Sequence, residues 1–275
     1  MLKPKENDHI YQHAYVPEHL IEYVTTVSSA LPHYFHDYLC YQQRNHLIFI
    51  GYPLADNPEK LSQVYPVVCE RFNPDSITVV ADDLSGLPEG DESQPVDHYY
   101  RLELPLQSLN PAVAYMVRRA AKELNIEIGQ FGREHKKIIK DFVRRQDLSA
   151  AQIHIFKKVS TYIKQSTSTY LLEVRKSGRL VAFSIVDLGS AHHAFYQFNF
   201  RSAKLNVPGA SDLLFDEMVR LAHSNGKRAI NLGLGVHPGI RRFKEKWGAK
   251  AFLRHRSVLI QRKSAPDINK LSKKL

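Results

Sequence analysis

The sequence predicts an α/β fold with strands and helices alternating along the chain. Three observations predict it. Short runs of strand character alternate with longer amphipathic runs along the 275 residues. A hydrophobic content of 43% suits a chain that builds one large core or two smaller ones. Glycine-rich turns join strand to helix at Pro208–Ser211 and again at Gly233–Gly239.

Taken in order, Leu20–Tyr38 reads as mainly helical with a break at Pro32. His46–Tyr52 (HLIFIGY) reads as a strand, Glu59–Arg71 as a helix and Ile77–Ala81 as a second strand. Asp82–Asp97 holds six carboxylates and no Lys or Arg, and reads as a loop. Tyr99–Leu104 alternates like an antiparallel strand. Ala112–Leu124 reads as a helix, Ile126–Gln130 as a strand, and Glu134–Arg145 and Ala150–Lys164 as helices. Three strands follow, Tyr170–Lys176, Leu180–Leu188 and Ala194–Phe200, with Ser177-Gly178 as a hairpin signal between the first two. A boundary near residue 125 divides the chain into two α/β halves, 1–125 and 126–275.

The stretch from Leu205 to Ala249 is the most informative. Pro208-Gly209 punctuates the chain, and Ser211 or Asp212 is expected to cap the next helix. In that helix Leu214, Met218 and Leu221 fall at helical spacing, widened by Phe215 and Ala222, and Asn225-Gly226 suits its end. Ala229–Gly233 has strand character, and Pro238 fits a first helical position. Ile240, Phe243 and Trp247 share one face of the last helix, with Arg241, Lys244 and Lys246 projecting elsewhere. A strand near Arg254–Gln261 completes the pattern. A glycine turn ahead of a helix leaves backbone N–H groups aimed at one spot, where the helix dipole favours an anion.

Several classes are excluded or disfavoured. No G-x-x-x-x-G-K-[ST] run exists, and Gly233, Gly235 and Gly239 miss the dinucleotide spacing. No run of 18 apolar residues marks a membrane span, and the polar N-terminus lacks a signal-peptide pattern. Cys40 and Cys69 lie far apart without a C-x-x-C pairing and read as buried free thiols. The fourteen histidines are scattered. His33/His36 and His192/His193 come nearest to clusters, without metal-ligand spacing, so no metal is expected.

Charge is concentrated. Residues 239–275 hold twelve Lys/Arg against Glu245 and Asp267, so this stretch carries the whole net charge of +10. A second basic stretch, Arg133–Arg145, includes Lys136, Lys137, Lys140, Arg144 and Arg145. Such concentrations attract polyanions, a tRNA or an anionic membrane surface among them. They are also what a solvated helix face and a basic tail look like.

Residues 201–249 resemble the acyl-donor half of the GNAT acyltransferase superfamily. Its pyrophosphate-loop signature is Q/R-x-x-G-x-G/A. Here Asn206-Val207-Pro208-Gly209-Ala210-Ser211 keeps the central glycine and lacks the leading Gln/Arg and the final Gly/Ala. Gly239–Ala249 (GIRRFKEKWGA) resembles more closely the branch with Fem-type peptidyltransferases and the C-terminal region of phosphatidylglycerol lysyltransferases, where G-[IL]-x-x-F-K-x-k-[FW]-G follows an x-L-G strand.

The resemblance implies tandem GNAT-like modules, each a mixed, mostly antiparallel sheet flanked by helices, the first degenerate and on the acceptor side, the second holding the acyl donor. It implies a donor cradle of Pro208, Gly209, Ala210 and Ser211, with Gln197 and Phe198 on the preceding strand, whose backbone N–H would hold the acyl carbonyl. It places Lys244 as a cation beside the donor phosphate or developing oxyanion. Tyr196 and Asn231 are candidates to protonate or orient a leaving group. Asp212 is a weaker candidate, and no general base is assigned.

The expected function is acyl transfer from a CoA thioester to an amine. One alternative is aminoacyl-tRNA-dependent transfer to a lipid, peptide or small amine. The other is a non-catalytic module that binds nucleic acid or an anionic surface. The expected location is the cytoplasm, with peripheral membrane contact through residues 239–275.

Overall fold

A computed structural model describes residues 2–92 and 94–263. In chain order the elements are α1 (Pro4–His13), a 3-10 turn (Pro17–His19), α2 (Ile21–Ser28), β1 (Leu31–Phe35), β2 (Tyr38–Gln43), β3 (His46–Ile50), α3 (Leu61–Phe72), β4 (Ser76–Ala81) and β5 (Asp97–Glu103). Next come α4 (Pro111–Ala121), β6 (Asn125–Ile128), α5 (Arg133–Arg145), α6 (Ala150–Gln165), β7 (Thr169–Lys176), β8 (Arg179–Asp187) and β9 (His193–Arg201). The described residues end with α7 (Ala210–Ser224), β10 (Ala229–Leu234), α8 (Pro238–Lys246) and β11 (Lys250–Gln261).

Two compact units emerge. Among the described residues, the first comprises 2–7, Ser29–Asp97 and 254–263; the second comprises Asp8–Ser28 and His98–Leu253. Residue 125, the boundary expected from sequence, falls inside the second unit.

In the first unit β1, β2 and β3 form antiparallel hairpins, β4 pairs parallel with β3, and β11 pairs antiparallel with β4. Cys40, Leu47, Phe49, Ile77, Val79, Val258 and Ile260 from the strands meet Val64 and Val68 of α3 in one buried cluster. Both cysteines are buried and unpaired, and burial pushes the Cys40 thiol well above its ordinary value.

The helix expected through Tyr38 ends at Ser28 instead, and Leu31–Gln43 is a hairpin. His36 and Asp37 both take positive φ (47° and 63°), as a two-residue turn of the I′ kind requires, and Phe35 pairs with Tyr38 across it. The run of aromatic residues there has strand rather than helix preference. Helix α1 was not anticipated.

The second unit orders its strands β5-β10-β9-β8-β7-β6, antiparallel throughout except for β9 with β10. The Ser177-Gly178 turn is as the sequence predicts, with φ of 48° and 76° and Lys176 opposite Arg179. One face of this sheet carries α4, α7 and α8 over a core that includes Leu172, Val186, Ile230, Leu232, Leu214, Phe215, Met218 and Trp247. Each such large side chain, fully buried, contributes roughly 1.5–3 kcal/mol. The other face carries α5 and α6 over Ile138, Ile139, Val159, Tyr162, Phe183, Ile185 and Phe200.

The two units share a connection pattern. β1-β2-β3-α3-β4 and β7-β8-β9-α7-β10 each run three antiparallel strands, a helix, then a strand parallel to the third.

Candidate functional site

The parallel pairs of the two units differ. In the first, β3 and β4 stay in register over five pairs, His46–Ile50 with Ser76–Val80, and Gly51 N extends the zip to Val80 O at 2.7 Å. In the second, β9 and β10 pair only over His193–Phe195 with Ala229–Asn231. Immediately beyond, Ile185 faces Phe198 but Val186 faces Tyr196, so Gln197 is the extra residue of a β-bulge in β9. From there β9 stays with β8 while β10 follows β5 to Leu234. The parallel strands part, which leaves one edge of β9 off the ladder at Tyr196 and Gln197. The Gln197 side-chain nitrogen, Nε2, is shielded and lacks a partner among the described residues.

Tyr196 points to the α7/α8 face. Its ring lies 5.2 Å from Phe215, edge to face, and 6.2 Å from Phe243, nearly parallel. Burial, with the Asp212 charge adding to it, pushes the hydroxyl well above its ordinary value, and a Ser184 hydrogen bond opposes the shift. At neutral pH it is therefore a neutral phenol, able to donate a hydrogen bond.

A chain of side chains continues from it. Ser184, fully buried, accepts from Asn199 Nδ2 at 2.8 Å, and Asn199 Oδ1 accepts from Ser211 Oγ at 3.1 Å. Ser211 stands in the first turn of α7, so the helix start and Tyr196 are linked through two residues that sequence reasoning missed. Ser184 and Asn199 are cross-strand partners, a relation that register alone reveals.

The cap of α7 differs from expectation. Gly209, not Ser211 or Asp212, is the N-cap, with φ 82° and ψ 0°. A Cβ there would lie 2.5 Å from Met116 O and 3.2 Å from Ala120 Cβ, so α4 packs directly on this glycine. Pro208 is exposed and Ala210 fully buried, with its N–H turned to Val207 O at 3.2 Å. Ser211 and Asp212 supply first-turn N–H groups. Asp212 is buried and anchors α8, accepting from Trp247 Nε1 at 3.0 Å and pairing with Lys246 Nζ at 2.5 Å.

Lys244 departs from the expectation that it projects away from the apolar face. It is 2% exposed, and its ammonium donates to Gly233 O at 2.8 Å and Leu234 O at 2.6 Å, with the Tyr100 ring centroid 5.4 Å away. The reason is periodicity: Ile240, Phe243, Lys244 and Trp247 occupy i, i+3, i+4 and i+7, one stripe. Those two carbonyls hold the ammonium in place without cancelling its charge. They belong to a bent segment, with Gly233 at φ 72° and the β-branched Val236 at φ 45°. His237 Nδ1 caps α8 from the N–H groups of Gly239 and Ile240 at 3.2 and 3.4 Å.

The structure brings Tyr196 and Lys244 to one face, joined by Phe243, which stacks on Tyr196 and precedes Lys244. It does not bring Asn231 there. Ile230 and Leu232 face α7, so Asn231 faces the other way; its Nδ2 donates to Tyr15 O at 2.7 Å and its Oδ1 accepts from Gly233 N at 2.7 Å. Phe198 also faces away, 6.1 Å from each of Tyr23, Phe156 and Phe200. Among the described residues no group of three or more His, Cys, Asp or Glu could hold a metal, and no helix is long and apolar enough to cross a membrane.

No family model matches the sequence, and no curated protein matches it either. Solved structures do match the fold. FemX shares 11% identity at a TM-score of 0.66, over 93% of this chain and 96% of that one. A conserved protein of unknown function from Bacteroides thetaiotaomicron VPI-5482 shares 11% at 0.65, over 94% and 98%. A C-terminal domain from Agrobacterium fabrum, assigned to a lysylphosphatidylglycerol synthetase, shares 14% at 0.62, over 98% and 94%. The likeness is one of fold: a mixed, mostly antiparallel sheet flanked by helices.

Proposed function

We propose that the protein is an acyltransferase whose second unit holds the donor, and that the donor is an aminoacylated RNA. The observation that carries this reading is the parting of β9 and β10 beyond Phe195 and Asn231, with Tyr196 at the bulge and the Lys244 ammonium on the same face. Acyl transfer needs a polarised carbonyl, a deprotonated nucleophile and a stabilised leaving group. The freed edge of β9 offers a backbone N–H to the acyl carbonyl. The Lys244 charge stabilises the oxygen on which negative charge develops. The neutral Tyr196 phenol donates to the departing ribose oxygen. The nucleophile, an amine or hydroxyl on the acceptor, forms the new bond to the acyl carbon as the ester C–O bond breaks, and its proton passes to that oxygen.

The two units are read as tandem GNAT-like modules because their connection patterns repeat. The first is the degenerate one, since β3 and β4 remain zipped where β9 and β10 part. The RNA donor is preferred because the Fem-type and lysyltransferase branch that Gly239–Ala249 resembles takes aminoacyl groups from tRNA, and because the likeness of fold to FemX and to the synthetase domain spans nearly the whole chain.

A CoA thioester is the second reading, favoured by the glycine turn that starts α7. Loss of the aminoacyl group from mixed aminoacyl-tRNA, and of the acyl group from acetyl-CoA, measured with lipid, peptide and small-amine acceptors, distinguishes the two. Acceptor-dependent deacylation of the RNA alone is expected; turnover of the thioester alone would move the assignment to CoA.

A further inference from the structure

Helix α5 has no part in the site above, yet it carries a row of exposed cations. His135, Ile138 and Ile139 are its buried side. Arg133, Lys136, Lys137, Lys140 and Arg144 stand on the opposite side at i, i+3, i+4, i+7 and i+11, a single stripe. All five are exposed, and their side chains make no hydrogen bond or ion pair among the described residues. Glu134 does not neutralise them. It is held by Arg175 Nη1 at 2.7 Å and by the Leu180 N–H at 3.3 Å. At ~1.5 Å rise per residue the stripe is about 16 Å long.

We infer that this stripe docks the phosphate backbone of an RNA duplex. Solvated helix faces commonly interleave acids with bases, because like charges a turn apart repel and opposite charges support the helix. Here the one other acid of α5, the half-buried Asp141, forms no ion pair with them among the described residues, so five cations face a single nearby carboxylate, and an external row of phosphates relieves the repulsion. A bilayer is the poorer fit. A helix that enters the interface needs an exposed apolar side, and the apolar side of α5 lies on the sheet. Packing on that sheet fixes the rod that carries the cations. They would contact backbone phosphates without reading bases, which binds RNA in a salt-dependent way without sequence preference.

The choice of RNA over other polyphosphates rests on the proposed donor, so the test separates the two claims. Binding of an uncharged RNA hairpin with a single-stranded CCA end is followed by fluorescence anisotropy across a salt series, without any acyl group present. The K136Q/K137Q/K140Q variant is compared with R118Q/R119Q/K122Q, which removes the same charge from exposed residues at the C-terminal end of α4 and its cap. The α5 variant is expected to bind about tenfold or more weakly, with the salt slope reduced by about 2–3, while the α4 variant keeps wild-type behaviour. Equal losses in both variants, or none in either, would overturn the assignment. So would an α5 variant that loses binding to vesicles of phosphatidylglycerol and phosphatidylcholine but not to RNA. RNA binding that depends on α5 without acyl transfer from any aminoacyl-tRNA would leave the docking face standing and remove the proposed reaction.

Discussion

Trp247 Nε1 donates to Asp212 Oδ1 at 3.0 Å, which ties the end of α8 to the first turn of α7. Both residues are buried, and the Trp247 ring lies 4.8 Å from that of Phe215. The two helices that frame Tyr196 and Lys244 are thereby fixed to each other. Replacing Asp212 with Ala removes this bond and the Lys246 pair together. A hydrogen bond to a charged group is worth about 1.5–3 kcal/mol, so a loss of that order is expected in denaturant unfolding. The emission of Trp247, the only tryptophan, is expected to shift to the red. An unchanged midpoint and spectrum would show that the two helices are held by packing alone.

Gly209→Ala tests the same helix start at its N-cap. The substitution puts a Cβ into Met116 O and a side chain at φ 82°. The left-handed backbone alone costs an alanine roughly 1–2 kcal/mol, and the clash with a main-chain carbonyl adds to it. A fall in melting temperature is therefore expected whether or not donor is bound. If stability is unchanged, α4 yields at this contact and the glycine is there for the ligand.

Ser184→Ala and Asn199→Ala break the link between Ser211 and Tyr196. Each leaves a shielded polar partner unpaired, a cost of about 1–3 kcal/mol. Under the proposed reaction both also lower kcat with little change in KM, because they orient the phenol rather than bind the donor. A change in KM alone would argue that the chain of hydrogen bonds only shapes the donor pocket.

His135 makes the fold sensitive to acid. Its Nδ1 accepts from Gly132 N at 3.1 Å, so Nε2 carries the proton and sits 3.3 Å from Glu173 Oε2, close but not hydrogen-bonded. Burial, and then the Arg175 charge, lowers its pKa to about 4. The folded state thus binds fewer protons than the unfolded state between pH ~6.5 and ~4. Its contribution is complete above that window and is lost as pH falls through it. Burial raises the Glu173 pKa, which works in the opposite direction. Unfolding measured from pH 7 to 4 is expected to lose stability less steeply in His135→Gln than in the wild type. Parallel curves would place the acid sensitivity elsewhere, His193 being the next candidate, since burial takes its pKa to about 4 as well.

How far the sequence foretold this molecule depended on whether a feature was local. The α7 stripe, the Ser177-Gly178 hairpin and the turn–Pro238–helix order follow from neighbouring residues and were legible. The hairpin at Leu31–Gln43 was not, because the helical pattern of Ile21–Val27 runs straight into it. Burial of Lys244 was legible in its i, i+3, i+4, i+7 position but hidden by its charge, which reads as a solvent-facing lysine until the Gly233 and Leu234 carbonyls are seen to receive it. The Ser184–Asn199 link and the opposite facing of Asn231 depend on strand register and on the bulge at Gln197, which no local signal marks.

Lys244→Ala, assayed for acceptor-dependent release of the aminoacyl group from aminoacyl-tRNA, tests the central claim most directly. Removal of a preorganised charge beside a developing oxyanion predicts a fall in kcat of about 10²–10³ in protein that remains folded by circular dichroism and still binds uncharged RNA. Wild-type turnover by the folded variant would contradict the account, and would leave Lys244 as a strut for the Gly233–Leu234 segment.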